Sequence, residues 1–184
     1  MTIDNPNNDE AVHVNKLKSE LLSSNKQLNE TAQENHLLEA QSMVKSHAMV
    51  GLAAGFIPIP FLDIAALSAA QLHLLRDLSL HYNVEFEEKS AKSILTALMS
   101  GALPVLGLLG LSSMFKFIPG IGTLGGGASL AISASATIYS TGQVFIKHFG
   151  QGGTLQNFDA KHAIAFFKEE IEQGKKIVEN LRKQ

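Results

Sequence analysis

The stretch that decides the fold is residues 93–146, which read SILTALMSGALPVLGLLGLSSMFKFIPGIGTLGGGASLAISASATIYSTGQVFI. Its only charged side chain is Lys116, which separates two uncharged arms, 93–115 and 117–146. Because a helix rises about 1.5 Å per residue, roughly 20 apolar residues cross the core of a bilayer. Both arms exceed that length. The segment 116–122 between them holds Pro and Gly residues, which end helices and reverse chains. The stretch therefore predicts a hydrophobic helical hairpin over 93–146.

The overall composition limits the classes of function. A chain of 184 residues is long enough for one domain with its own core. The formal net charge of −2 predicts no nucleic-acid partner. The chain has no cysteine, which excludes disulfides and thiolate metal sites. Its polar, acidic first ten residues lack the apolar segment of a signal peptide, so we expect a disordered tail that stays in the cytoplasm.

The N-terminal part of the chain, from Ala11 to about His47, predicts a polar helix. Its sparse apolar positions have heptad-like spacing: Val14, Leu17, Leu21 and Leu28. Later positions of the same repeat are polar: Ser24, Thr31 and Asn35. Two interpretations stay open, a solvated helix and a helix that docks a partner or forms an oligomer.

A second uncharged run, 48–62, is interrupted by Pro58 and Pro60. Since proline removes a backbone donor and disfavours helix at the residue before it, we expect one helix to stop near Phe56. Another helix should begin near Pro60 and run to about Tyr82, with Asn83 as a left-handed residue after it. Asp63 then lies near the positive end of that helix. It is either a helix-start carboxylate or an acidic group inside a bundle.

The second arm of the hairpin carries small or weakly polar residues at every fourth position: Gly125, Ser129, Ser133, Thr137 and Thr141. Such a stripe permits close helix contacts in lipid or in a soluble core. After a flexible link, an amphipathic helix is predicted over about 158–181, capped by Asn157 or Asp159. That last helix either closes the bundle or lies on anionic lipid.

The sequence shows no pattern typical of catalysis or cofactor binding. Residues 120–125 match G-x-G-x-x-G, but no acidic residue follows at the spacing that a dinucleotide site requires. His73, Asp77 and His81 share a helix face without a second cluster of ligands. We therefore expect a protein that is not an enzyme and that has no metal and no cofactor.

Several of these residues occur in the order of a known motif pattern. The positions are Pro58, Pro60, Asp63, Gln71, Tyr82, Pro119, Gly120, Gly122, Tyr139 and Gly142. Over roughly residues 44–178 the chain resembles the YcjF/GTPase-associated family, a bacterial domain of unknown function. The resemblance implies membrane association. It also implies a separate GTPase as a partner, because some members carry the domain behind a GTPase domain.

These observations predict an all-α, membrane-associated helical bundle built round the hairpin. Residues 1–43 form a polar tail and helix, 44–178 the family-like domain, and 179–184 a basic tail. Lysines flank the outer ends of the hairpin, which places both termini in the cytoplasm of a bacterial inner membrane. The leading hypothesis is a non-enzymatic scaffold on the lipid bilayer that forms a homo-oligomer through its small-residue helix faces. The alternatives are a soluble homo-oligomer that buries the arms between subunits, and a channel or transporter subunit in which Asp63 lines the path.

Overall fold

The computed structural model describes residues 6–54, 62–115 and 127–182, with side chains described over 13–52, 66–102 and 131–180. The described residues form five α-helices and no strand, which confirms the all-α class. The helices are α1 (Pro6–Ala54), α2 (Leu62–His81), α3 (Glu88–Phe115), α4 (Gly127–Gly150) and α5 (Ala160–Arg182). The chain divides into two compact units, residues 1–39 and 40–184.

Unit 1–39 contains the first part of α1. This helix begins at Pro6, so residues 6–10 are helical although the sequence predicted a disordered tail there. Proline suits the first turn of a helix, where its missing N–H would have no partner inside the helix. Every side chain from His13 to Asn35 is exposed. Residues 13–35 are therefore a solvated stretch of helix in the single chain.

Unit 40–184 is built round α4, which packs most extensively against α5 and next against α2. The helix α3 packs chiefly against α5. All five helices supply fully buried side chains, and the large ones of α2, α4 and α5 include Leu74, Leu78, Ile138, Phe145, Phe167 and Ile171. Their spacing of three or four residues within each helix gives each one an apolar stripe. Because Phe167 and Ile171 of α5 lie in the core, α5 closes the bundle, one of its two predicted roles.

The two arms of the predicted hairpin both contribute to this core. The first arm belongs to α3, which starts at Glu88 rather than Ser93, and the second belongs to α4, which starts at Gly127. The predicted turn at 116–122 lies outside the described residues. Side chains from both arms are buried in the unit: Ile94, Leu95, Leu98 and Ala102 from the first, and Ala136, Ile138, Val144, Phe145 and Ile146 from the second. The chain's own helices therefore bury the core-facing side of each described arm, while Ser93, Thr96, Ala97 and Ser100 of the first arm stay exposed.

In the described part of the chain, none of the helices is at once long enough and apolar enough to pass through a membrane.

The helix ends follow from local chemistry. Asn83 has a φ of 55°, and the Val84 N–H donates to the Ser79 carbonyl over 2.7 Å, so a left-handed residue ends α2 as predicted. The Asp159 carboxylate accepts the N–H groups of Lys161 and His162 at 2.9 and 3.2 Å and caps α5. These caps set where α2 and α5 stop and start, and so which of their residues face α4.

Candidate functional site

Small and polar side chains concentrate where α4 meets α2 and the end of α1. We call this set the α4 seam. It consists of Gln41, Val44, Ala48 and Gly51 on α1, Gln71 on α2, and Ser135, Ile138, Thr141, Gly142 and Gln143 on α4. All of them belong to unit 40–184.

Two glycines of the seam let the backbones approach closely. A Cβ atom at Gly142 would overlap both methyl groups of Val44, coming within 2.6 Å of Cγ1. A Cβ atom at Gly51 would lie 2.6 Å from Ile138 Cδ1 and 3.1 Å from Ser135 Cα. Real Cβ atoms do not come so close to another carbon. Glycine at both positions is therefore what permits α1 and α4 to pack at this distance.

Hydrogen bonds across the same contact fix how α1 and α4 are aligned. The Ser135 hydroxyl donates to the Ala48 carbonyl at 2.5 Å. The amides of Gln41 and Gln143 form a reciprocal pair, with N–O distances of 3.0 and 2.8 Å. Because a partly buried amide loses its water partners on folding, sliding one helix along the other would leave these groups unsatisfied.

A buried chain of hydrogen bonds ties α2 to α4. Gln71 is only 2% exposed, and its Nε2 donates to Thr141 Oγ1 at 3.1 Å. The same Thr141 hydroxyl donates to the Thr137 carbonyl at 2.9 Å. Thr141 thus serves as acceptor and donor at once. The stripe of small residues is used here for packing within one chain.

A polar contact between His47 and Asp77 joins α1 to α2 beside the seam. His47 Nδ1 donates to the Met43 carbonyl at 3.0 Å, and its Nε2 lies 3.3 Å from an Asp77 carboxylate oxygen. The pair has just two metal-ligating groups, and no cluster of three exists among the described residues.

The partly buried tyrosines are held in their protonated form. Burial raises the pKa of Tyr82. Burial and then the nearby Glu170 raise the pKa of Tyr139. Burial and Glu169 also raise the pKa of Glu170, while Lys147 opposes the shift. A phenol whose pKa is raised is a poor nucleophile at neutral pH. Tyr82 packs by Phe149, which agrees with a structural role.

The predicted residues fall into four groups. Gln71, Thr141 and Gly142 meet in the α4 seam, with Thr137 buried beside them. Tyr82 packs near Phe149, Tyr139 packs near Gly174 of α5, and Ser133 is partly exposed. Asp63 and Ser129 lie in α2 and α4, but their side chains are outside the described set. The remaining positions lie outside the described residues: Pro58, Pro60, Pro119, Gly120, Gly122 and Gly125. The channel hypothesis for Asp63 stays a prediction.

Sequence reasoning missed most of the α1 side of the seam. Gln41, Val44 and Ala48 were not singled out, and Gln143 and Ser135 fall off the predicted stripe of α4. A usable signal existed in α1, where Ala40, Val44, Ala48 and Leu52 recur at every fourth residue and are all buried. This spacing continues the helical stripe beyond the polar region.

Comparison with known proteins extends these observations. Residues 22–176 match the family model described as a domain of unknown function, DUF697. The chain belongs to the DUF697 family. The matched range of this DUF697 chain contains the whole α4 seam. A relative named "Magnetosome membrane protein 22", from Magnetospirillum gryphiswaldense, is 34% identical over 146 residues, which cover 79% of this chain and 75% of the relative. No solved structure matches the chain.

Proposed function

We propose that this DUF697 protein is a non-enzymatic scaffold that attaches to the bilayer of a bacterial inner membrane, with both termini in the cytoplasm. The observation that carries the proposal is the central apolar segment, residues 103–130, in which Lys116 is the only charged residue. The name of the relative, a membrane protein, supports the membrane association in this proposal. A separate GTPase is proposed as a further partner on the family resemblance alone.

Burial of the outer parts of both arms supports the central segment, rather than the whole hairpin, as the membrane contact. The outer parts of both arms, up to Ala102 and from Ala131, supply side chains to the chain's own core. The segment 103–130 is where the sequence retains apolar residues beyond those core positions. Its leucines include a cluster at 106–111. Moving a leucine side chain out of water is favourable by about 1.5–3 kcal/mol, so a few such residues are enough for attachment.

The proposed self-association uses a surface other than the buried part of the small-residue stripe. Thr137 and Thr141 are almost completely buried inside the single chain. Replacing them would disturb the fold before it disturbed an oligomer. The scaffold therefore assembles through side chains that remain exposed in the chain.

Flotation with lipid vesicles tests the membrane attachment. The wild-type chain should rise through a density gradient with vesicles made of bacterial inner-membrane lipids. The double variant Leu108→Glu/Leu109→Glu should lose at least about 100-fold in vesicle partitioning, because two apolar anchors become charged.

A matched control adds two glutamates elsewhere. The variant Leu22→Glu/Leu80→Glu changes leucines that are 62% and 65% exposed. It should float as the wild type does. Wild-type protein that stays at the bottom of the gradient would exclude membrane attachment and favour the soluble homo-oligomer. Equal flotation of all three proteins would show that 103–130 is not the anchor.

A further inference from the structure

Unit 1–39 exposes five large apolar side chains along one line of α1. Their exposed fractions are 56% for Val14, 46% for Leu17, 65% for Leu21, 68% for Leu28 and 59% for Leu38. These positions fit one heptad frame, in which residues 14, 21, 28 and 35 are a positions and 17, 24, 31 and 38 are d positions. We call these eight residues the N-terminal seam. It ends one residue before the boundary of the unit.

The charges of this helix avoid the N-terminal seam entirely. Its polar members, Ser24, Thr31 and Asn35, are all uncharged. The charged residues between 14 and 38 all occupy other positions of the heptad: Lys16, Lys18, Glu20, Lys26, Glu30 and Glu34. A helix that only faces water has no reason to exclude charge from one stripe. The exclusion indicates a face that becomes buried in an assembly.

We propose that α1 pairs along the N-terminal seam with α1 of a second copy, in a parallel two-stranded coiled coil. In a parallel, in-register pair each seam residue meets its own copy, so polar residues meet polar residues and leucines meet leucines. An antiparallel partner aligned over the same span would place each of the three polar residues opposite a leucine. The inference rests on the proposed scaffold function, since it supplies the surface through which copies associate.

The low stability expected of an isolated, fully exposed helix is a further reason for α1 to pair with a partner. An isolated helix in water is marginal, because its nucleation is unfavourable and its propensities are small. The side chains of residues 13–35 are exposed, and the one ion pair recorded between charged side chains there, Lys26–Glu30 at 3.8 Å, is of the surface kind that contributes little. Pairing would cover the leucines. A polar residue at an a position, here Asn35, costs stability but selects the register and the number of strands.

Disulfide trapping tests the parallel register, because the natural chain has no cysteine. In a parallel pair, the two Ser24 positions face each other within reach of a disulfide. Oxidation of Ser24→Cys should therefore give at least about ten times more covalent dimer than oxidation of Lys26→Cys. Lys26 lies on the opposite face, with 77% of its side chain exposed. Equal trapping of the two variants, or none, would overturn the proposal.

Sedimentation equilibrium of the full chain tests the seam by substitution. Leu21→Glu should raise the dissociation constant of the dimer at least about 100-fold, since each pair then buries two facing carboxylates instead of two leucines. The matched control is Leu22→Glu, because Leu22 is the adjacent leucine, is 62% exposed and lies off the seam. It should leave the dissociation constant unchanged. A monomeric wild type, or equal effects of the two substitutions, would overturn the inference.

Vesicle flotation of the same two variants separates this inference from the membrane function. Both variants retain residues 103–130, so both should float. A monomeric Leu21→Glu variant that floats supports the coiled coil as the assembly surface of a membrane-bound protein. A wild-type dimer that does not float leaves the coiled coil standing and overturns the membrane attachment.

Discussion

At the scale of the residue, Gly142 decides how close α1 comes to α4. Alanine is favoured over glycine in a helix by about 1 kcal/mol, so Gly142→Ala would be expected to stabilise an unpacked helix. Here the added methyl group overlaps Val44. We expect Gly142→Ala to lower the free energy of unfolding by about 1–3 kcal/mol, as overpacking does in cores. Urea unfolding followed by circular dichroism measures the change.

Gly150 in the same helix provides the control for Gly142. A Cβ atom there would meet Tyr82 Cε1 at 3.9 Å, which is an ordinary contact. Gly150→Ala should therefore be neutral or stabilising. Adding Val44→Ala to Gly142→Ala should restore part of the loss, because the overlapping methyl groups are then gone. If both glycine substitutions have the same effect, the close contact between α1 and α4 is not what requires Gly142.

At the scale of the element, the start of α5 depends on the charge of Asp159. Its pKa is lowered mainly by the hydrogen bond from the His162 side chain, at 2.6 Å, and further by the backbone N–H of His162. A lowered pKa means that the folded state favours the carboxylate. The stabilisation is present above the pKa of about 3.9 in the unfolded chain and is lost as pH falls through the lower folded value. We expect Asp159→Ala to lower the unfolding midpoint at pH 5, with a smaller difference from wild type at pH 3.

Replacing Asp159 with a neutral hydrogen-bond acceptor separates the effect of the helix cap from the effect of the negative charge. Asp159→Asn keeps an oxygen for the N–H groups of Lys161 and His162, so it should lose less than alanine at pH 5. Thermal unfolding at both pH values gives the comparison. If the unfolding midpoints of wild type and Asp159→Ala differ by the same amount at pH 5 and at pH 3, the carboxylate charge has no role in stability.

Local signals explain which elements could be predicted from the sequence. The end of α2 at Asn83 and the start of α5 at Asp159 depend on residues close by in the chain, and both predictions are confirmed. The reciprocal Gln41–Gln143 pair joins residues far apart in sequence, so no local pattern indicates it. Within the candidate site, the family resemblance predicted Gln71 and Gly142, and the stripe of small residues at every fourth position predicted Thr141.

The arms show why hydrophobicity alone does not assign an environment. An uncharged run is the same sequence signal whether lipid or protein covers it. Ile94 and Phe145 are buried by helices of the same chain. The helices α2 and α5, which pack against the arms, lie outside the run. The length of the run correctly predicted helices. Whether lipid or protein surrounds those helices depends on tertiary contacts, which the run itself does not encode.

At the scale of the whole molecule, the two units separate folding from assembly. All the buried core residues of the described chain, from Ala40 to Val178, belong to unit 40–184. The exposed N-terminal seam belongs to unit 1–39. A chain without residues 1–35 should therefore still unfold in a cooperative thermal transition. Its midpoint should lie within about 4 °C of that of the monomeric full-length variant Leu21→Glu.

The same truncation should abolish the dimer, because it removes seven of the eight seam residues, and should leave vesicle flotation intact. A truncated chain that loses its cooperative transition would show that the N-terminal helix is part of the folding unit, and a truncated chain that still dimerises would move the assembly contact into residues 36–184.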